Sequence, residues 1–210
     1  MEVIKKLQWR YATKKFDASK FVSEEKLQIL KDSFNLTATS YGLQPLKMLV
    51  ISNAEIKKQL VPITMDQQQV NEASHVFVIC IEKNVRKKYI SNYFDNVKKV
   101  RNTPEEILKP FHDFLIEDFE GKTEEQIDYW STKQAYLAIG NLLTVCAIEE
   151  VDACPIEGFD PKAYDDLFDL KEKELQSVLV LAVGYRASDD MFSGFKKVRR
   201  GVDEVIIEID

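Results

Sequence analysis

The chain has 210 residues, 45% hydrophobic and 10% aromatic, with a formal net charge of -6; this suits one sizeable domain or a domain with an inserted arm. The acidic balance argues against a general nucleic-acid surface but leaves room for a local basic pocket. Two histidines speak against a histidine-based metal site, and Cys80, Cys146 and Cys154 lack metal or redox spacing, as reduced core thiols would. Charges at Glu2, Lys5 and Lys6 stand where a signal peptide would carry an apolar run, and no stretch approaches bilayer-spanning length, so a cytoplasmic protein without membrane or nucleic-acid partners is expected.

In chain order, Val3, Ile4 and Leu7 predict a short amphipathic helix leading through Trp9 into Arg10-Tyr11-Ala12-Thr13-Lys14-Lys15-Phe16. Taken alone, the cations of that segment are accounted for by a solvated helix end. Ser23 predicts the cap of a second helix through Leu27, Leu30 and Phe34, closing near Thr37. Thr37 to Pro45, with its hydroxyls, Gly42 and Pro45, reads as a loop. Lys47 to Ser52 is a short buried strand, Asn53 caps a helix through Leu60, and His75 to Ile81 is a second strand with an almost continuous apolar run. Between them, Asp66-Gln67-Gln68-Gln69-Val70 reads as an exposed linker.

Val85 to Arg101 predicts a basic helix. Thr103-Pro104-Glu105-Glu106 supplies both a capping box and a first-turn proline for the next one, so residues at about 84–120 form a helical excursion. Thr123 and Gln126 make a capping box for a long helix to Ile148 that is apolar nearly all round in its second half and therefore buried. In Cys154 to Asp160, Pro155, Gly158 and the pair Asp160-Pro161 predict a rigid turn whose amides can face a cavity. Ser177 to Tyr185 is a third strand. The tail carries Lys196-Lys197-Val198-Arg199-Arg200, then Val202 to Ile209 with strand character and nothing adjacent in sequence to pair with.

Arg10, Lys14, Lys197 and Arg199 are cations from opposite ends of an acidic chain, and a phosphate or other polyanion is one reason to gather them. The segment Arg10 to Phe16 resembles the Arg-x-Ser-x-Lys-x-Phe opening of FMN-dependent nitroreductases, a group that includes oxygen-insensitive NAD(P)H nitroreductases and dihydropteridine reductase-like enzymes. Gln44-Pro45, Gln69-Val70 followed by Ala73-Ser74-His75, Pro155-Ile156-Glu157-Gly158, Val183-Gly184 and Lys197-x-Arg199 recur in that family's order over nearly the whole chain.

The resemblance implies an α+β fold, a central mixed sheet surrounded by helices in one 1–210 domain, and an intertwined homodimer that exchanges its C-terminal strand. It implies FMN as cofactor and NADPH or NADH as donor, in a ping-pong oxidoreductase whose acceptor is electron-poor, such as a nitroaromatic, a quinone or a pterin. Arg10, Lys197 and Arg199 would hold the FMN phosphate, with Tyr11 and Ala12 lending backbone contacts. Lys14, the one side chain with a catalytic part, would place positive charge at the pyrimidine edge of the flavin, and Gln69 would hydrogen-bond the ring. Pro155, Ile156, Glu157 and Gly158 would cover one face. Thr39 and Ser40 would reach the partner's flavin. Departures at Ala12, Gly42, Leu46 and Asp66 bear on the acceptor. Other readings are a flavin-consuming or dehalogenating relative and a non-enzymatic FMN-binding redox protein.

Overall fold

The computed structural model describes residues 2–209; Met1 and Asp210, the ends of the expected 1–210 domain, lie outside the described residues. Four strands, β1 (Leu46–Ile51), β2 (His75–Glu82), β3 (Asp152–Ile156) and β4 (Leu175–Gly184), form one sheet in the order β1-β2-β4-β3. Alternate residues of β2 divide the core. Val76, Val78 and Cys80 pack with Leu60, Tyr164, Leu170, Val180 and Ala182 on one face, while Phe77 and Ile79 pack with Leu27, Leu30, Ile139, Leu142, Leu179 and Leu181 on the other. Covered on both faces, β2 needs a continuous apolar run, and that is the run the sequence carries.

All three pairings are antiparallel, which corrects the expected mixed sheet. The parallel contact in the chain is an isolated bridge between Ala12 and Ala153. The segment expected to pass to a partner's sheet, Val202 to Ile209, makes a helical turn at Val202–Val205 and then runs on exposed, outside this chain's sheet. Its apolar residues stay exposed in the single chain.

Helices α1 (Glu2–Trp9), α2 (Glu24–Asn35), α3 (Ala54–Leu60), α4 (Gln69–Glu72), α5 (Lys87–Arg101), α6 (Glu105–Glu120), α7 (Glu124–Ile148), α8 (Pro161–Leu167) and α9 (Val202–Val205) surround the sheet. Ser23 accepts from the Lys26 amide, Asn53 from Glu55 and Ile56, and Asp160 from Ala163, satisfying first-turn amides as their residue types predict. Thr123 and Gln126 form both halves of their capping box. The box expected at Thr103 is absent. Pro104 itself, at φ -58 and ψ 146, precedes the first helical residue, and no side chain caps α6. Helices α5 and α6 close on their own apolar cluster of Ile90, Phe94, Leu115 and Phe119, with Val85 and Ile127.

Two further expectations change. The stretch Asp66 to Val70 is no exposed linker, because α4 turns Gln69 and Val70 inward, leaving them 8% and 0% exposed. The turn after Cys154 is shorter than expected: Pro155 sits in edge strand β3 opposite Leu181, where a missing N–H is tolerated, and the chain leaves the strand only at Glu157. Gly184 ends β4 under the ring of Phe16. A Cβ there would lie 3.0 Å from Phe16 Cδ1 and 3.0 Å from the Ser74 amide nitrogen, so Phe16 and Gly184, two pieces of the recognised pattern, are one packing contact.

Candidate active site

The segment after α1 crosses beside β3 and then joins the strand end after β4. Thr13 N donates to Ala153 O at 3.5 Å, Asp17 N to Tyr185 O at 2.8 Å and Ala187 N to Lys15 O at 3.0 Å. This lays Arg10, Tyr11 and Ala12 along one wall of a cleft of about 670 Å³, whose other walls include Pro155, Arg186, Phe192, Lys197 and Arg199. Six of the residues singled out from the sequence therefore meet at one cleft, although 187 positions separate Lys197 from Arg10.

The electrostatics of the cleft are one-sided. Arg10, Lys197 and Arg199 make no ion pair with a carboxylate among the described residues; Lys197 Nζ donates to the Arg10 carbonyl, and Arg199 Nη1 to its neighbour's carbonyl, Val198 O, at 2.6 Å. Burial, then the neighbouring Arg199, hold the Arg10 guanidinium below its ordinary pKa. Partial desolvation against the cleft wall, then Arg10 and Arg199, lower the Lys197 pKa, although the residue remains exposed. Three mutually repelling cations with no counter-charge form a site that gains from a bound anion.

Arg186, which the sequence reading passed over, is charge-compensated. Its guanidinium grips the buried Asp152 through Nε to Oδ1 at 2.9 Å and Nη2 to Oδ1 at 2.5 Å, and it lies 4.4 Å from the Trp9 ring centre and 4.6 Å from that of Tyr11. It braces the wall and contributes no free charge. Nothing in the local sequence Tyr185-Arg186-Ala187 signals this, because its partners lie 34 and more positions away.

Around the turn after β3, Tyr136 on α7 donates to Glu157 Oε1 at 2.6 Å, and Gln67 Nε2 donates to Gly158 O at 2.9 Å. A Cβ on Gly158 would sit 3.1 Å from Met65 Sδ. Met65 and Asp66 both take left-handed backbone angles, φ 52 and 57, a region that aspartate and asparagine both enter readily. Gln67 links this segment to the turn. Gln69 is buried in α4. Ile156 is buried in the core, so only its backbone remains for a ligand. Lys14 presents its amide to Asp190, and its charge is felt by the Cys154 thiol of β3.

Thr39 and Ser40 do not line this cleft. They belong to a loop in which Ser40 N donates to Gln134 Oε1 at 2.8 Å, and Thr39 lines a separate cavity of about 350 Å³ with Gly42, Gln44 and Tyr93. Gly42, at φ 72, stands against Tyr93, whose hydroxyl would be 2.9 Å from an added Cβ. The left-handed angle favours glycine, and a side chain here would also push the Tyr93 ring aside.

Comparison with known proteins gives this α+β fold a family. The model of the nitroreductase family matches residues 7–185. A Staphylococcus saprophyticus protein carrying the provisional name NAD(P)H nitroreductase is 32% identical over 206 residues, which cover 94% of this chain and 92% of that protein. The crystal structure of a Bacillus subtilis protein, provisionally described as a nitroreductase, superposes with a TM-score of 0.88 at 16% identity, covering 99% of each chain. That of a provisional nitroreductase from Exiguobacterium sibiricum in complex with FMN superposes with a TM-score of 0.83 at 21% identity, covering 100% of this chain and 96% of that one. The chain belongs to the nitroreductase family.

Proposed function

We propose that this protein is an FMN-dependent NAD(P)H oxidoreductase acting by a ping-pong mechanism on an electron-poor acceptor such as a nitroaromatic or a quinone. The observation that carries the reading is the uncompensated set Arg10, Lys197 and Arg199 on a cleft of about 670 Å³. Those residues fit FMN, because a terminal phosphate supplies the counter-charge they lack. FMN, when bound, takes two electrons from the nicotinamide and delivers them to the acceptor.

The chain's own part is binding and electrostatics. Arg10, Lys197 and Arg199 hold the phosphate, with the backbone of Tyr11 and Ala12 alongside. Lys14 would supply fixed positive charge toward the pyrimidine edge of the flavin. Gln69 would bond to the ring, and the run Pro155 to Gly158 would cover one face. One covered face leaves the other for donor and acceptor in turn, the basis of the ping-pong assignment. Replacing Lys14 by Ala should slow reduction by NADPH in stopped flow, at saturating FMN, more than it raises the Kd for FMN.

The active unit in this reading is a homodimer. Val198, Val202, Ile206, Ile207 and Ile209 are all exposed in the single chain, and β1 is an edge strand with one side unpaired, an arrangement that invites exchange of the tail between protomers. Thr39 and Ser40, away from their own chain's cleft, then serve the partner's cofactor. No described helix is long and apolar enough to cross a membrane, and three free buried cysteines suit a reducing compartment, the cytoplasm in this proposal. Steady-state kinetics with NADPH and menadione test the assignment: parallel double-reciprocal lines are expected, and intersecting lines would rule out a single shared face.

A further inference from the structure

Asp190 has no place in the proposed function, yet it is a heavily bonded carboxylate beside the cleft. It is 3% exposed and makes no ion pair among the described residues. A buried carboxylate without a cation is costly unless its lone pairs are filled by donors. Here four donors converge on it. Oδ2 accepts from the Tyr11 hydroxyl at 2.8 Å and from the amides of Lys14 and Lys15 at 3.0 and 3.1 Å, and Oδ1 accepts from the Phe192 amide at 3.0 Å. Burial alone would raise the carboxyl pKa, and these bonds more than offset it, leaving the group below its ordinary value.

The donors come from two segments. Tyr11, Lys14 and Lys15 belong to the stretch that carries Arg10; Phe192 begins the turn that leads to Lys197 and Arg199. Tyr11 is held in position for its part, since its ring lies against the Arg186 guanidinium that Asp152 fixes. Among the described hydrogen bonds, those of Asp190 fall between the backbone ladder at Lys15 and Asp17 and the exposed tail.

We propose that Asp190 is a positioning residue that sets the spacing of the anion-binding cations, by tying the segment of Arg10 and Lys14 to the segment of Lys197 and Arg199. The consequence for FMN rests on the function proposed above, whereas the tie itself does not. Asp190 touches no ligand in this scheme. It acts through the amides and the phenol that it orders, so that cations which repel one another stay close enough to share one phosphate.

The test uses the full-length protein and Asp190→Ala, Asp190→Asn and Tyr11→Phe variants. Hydrogen–deuterium exchange without added ligand is expected to speed up at residues 11–16 and 191–198 in Asp190→Ala, while peptides from β2 and β4 are unchanged. The Kd for FMN should rise by about ten-fold or more in Asp190→Ala and less in Asp190→Asn, which retains one acceptor. Arg199→Ala should cost less affinity in the Asp190→Ala background than in the natural chain, because misplaced cations no longer act together. Unchanged exchange in both segments of a folded Asp190→Ala protein overturns the proposal, and so do additive losses in the double variant. If Asp190→Ala does not fold, Tyr11→Phe decides the matter, with faster exchange at 14–15 supporting the tie and unchanged exchange refuting it. A natural chain that binds no FMN but whose Asp190→Ala variant exchanges faster would keep the tie and remove the cofactor.

Discussion

Arg10 to Phe16 and Lys196 to Ile209 supply the same kind of charge to one cleft under opposite conditions. The first segment is tied at several points: a bridge from Ala12 to Ala153 and another from Phe16 to Arg186, amide bonds to Asp190, and the Phe16 ring under Gly184. The second is exposed at every described residue from Met191 onward, and its Lys197 holds the body through a bond to the Arg10 carbonyl. Binding is strongest when groups are ordered before the ligand arrives. In this molecule one half of the cation set is ordered by its own chain, and the other half is left to the ligand and, in our proposal, to the partner protomer.

Removing the loose half should have the largest effect. Truncation after Gly201 leaves Lys197 and Arg199 in place but deletes Val202 to Ile209, and we expect loss of both the dimer and bound FMN. Analytical sedimentation with absorbance detection of the flavin decides this, and a flavin-loaded dimer lacking those residues would show the tail to be dispensable. Arg199→Ala comes next. It removes one charge-assisted bond to phosphate, about 1.5 to 3 kcal/mol, roughly ten- to hundred-fold in the Kd for FMN, with an unchanged far-ultraviolet spectrum. An equal loss of secondary structure would mean that the tail is part of the folded body after all.

The tied half is broken from inside. Gly184→Val puts side-chain atoms into the space of Phe16 and the Ser74 backbone, and overpacking of that kind costs about 1 to 3 kcal/mol. Thermal unfolding should drop by several degrees, and FMN should weaken as a secondary result. The smallest effect is alkaline. Burial pushes the Cys80 thiol from 9.0 up to about 12, with Asp165 adding to it, and burial pushes the Tyr164 phenol from 10.0 up to about 12 against its bond with Thr64. Both groups hold their protons more tightly when folded, so their contribution is intact below pH 9 and is lost as pH rises from 9 toward 12. The unfolding temperature should be flat up to pH 9 and decline above it, and Tyr164→Phe should flatten part of that slope. The residues that truncation after Gly201 removes are exposed throughout Val202 to Ile209, so that truncation should leave the slope unchanged.

What could be read from sequence follows the same division. Caps at Ser23, Asn53, Thr123 and Asp160 were legible because a capping side chain and the amide it serves are two or three residues apart. The buried strands were legible from their unbroken apolar runs. The cations at the two chain ends were legible as candidates, and the motif order grouped them. Arg186, Asp190, Asp152 and Gln67 were not, since each is defined by partners far along the chain and sits in a sequence context shared with ordinary surface residues. The antiparallel order was not legible either, since the direction of a pairing is set by which strands the fold brings side by side and not by the preferences of the residues in them.

In the proposed function, three uncompensated cations hold the phosphate of a single flavin mononucleotide. The visible spectrum of the purified protein, taken before and after anaerobic addition of NADPH, tests this most directly. Flavin bands that bleach on NADPH, with a cofactor that acid releases as FMN rather than FAD, are the predicted result. A colourless protein that takes up no FMN when the two are mixed would contradict it.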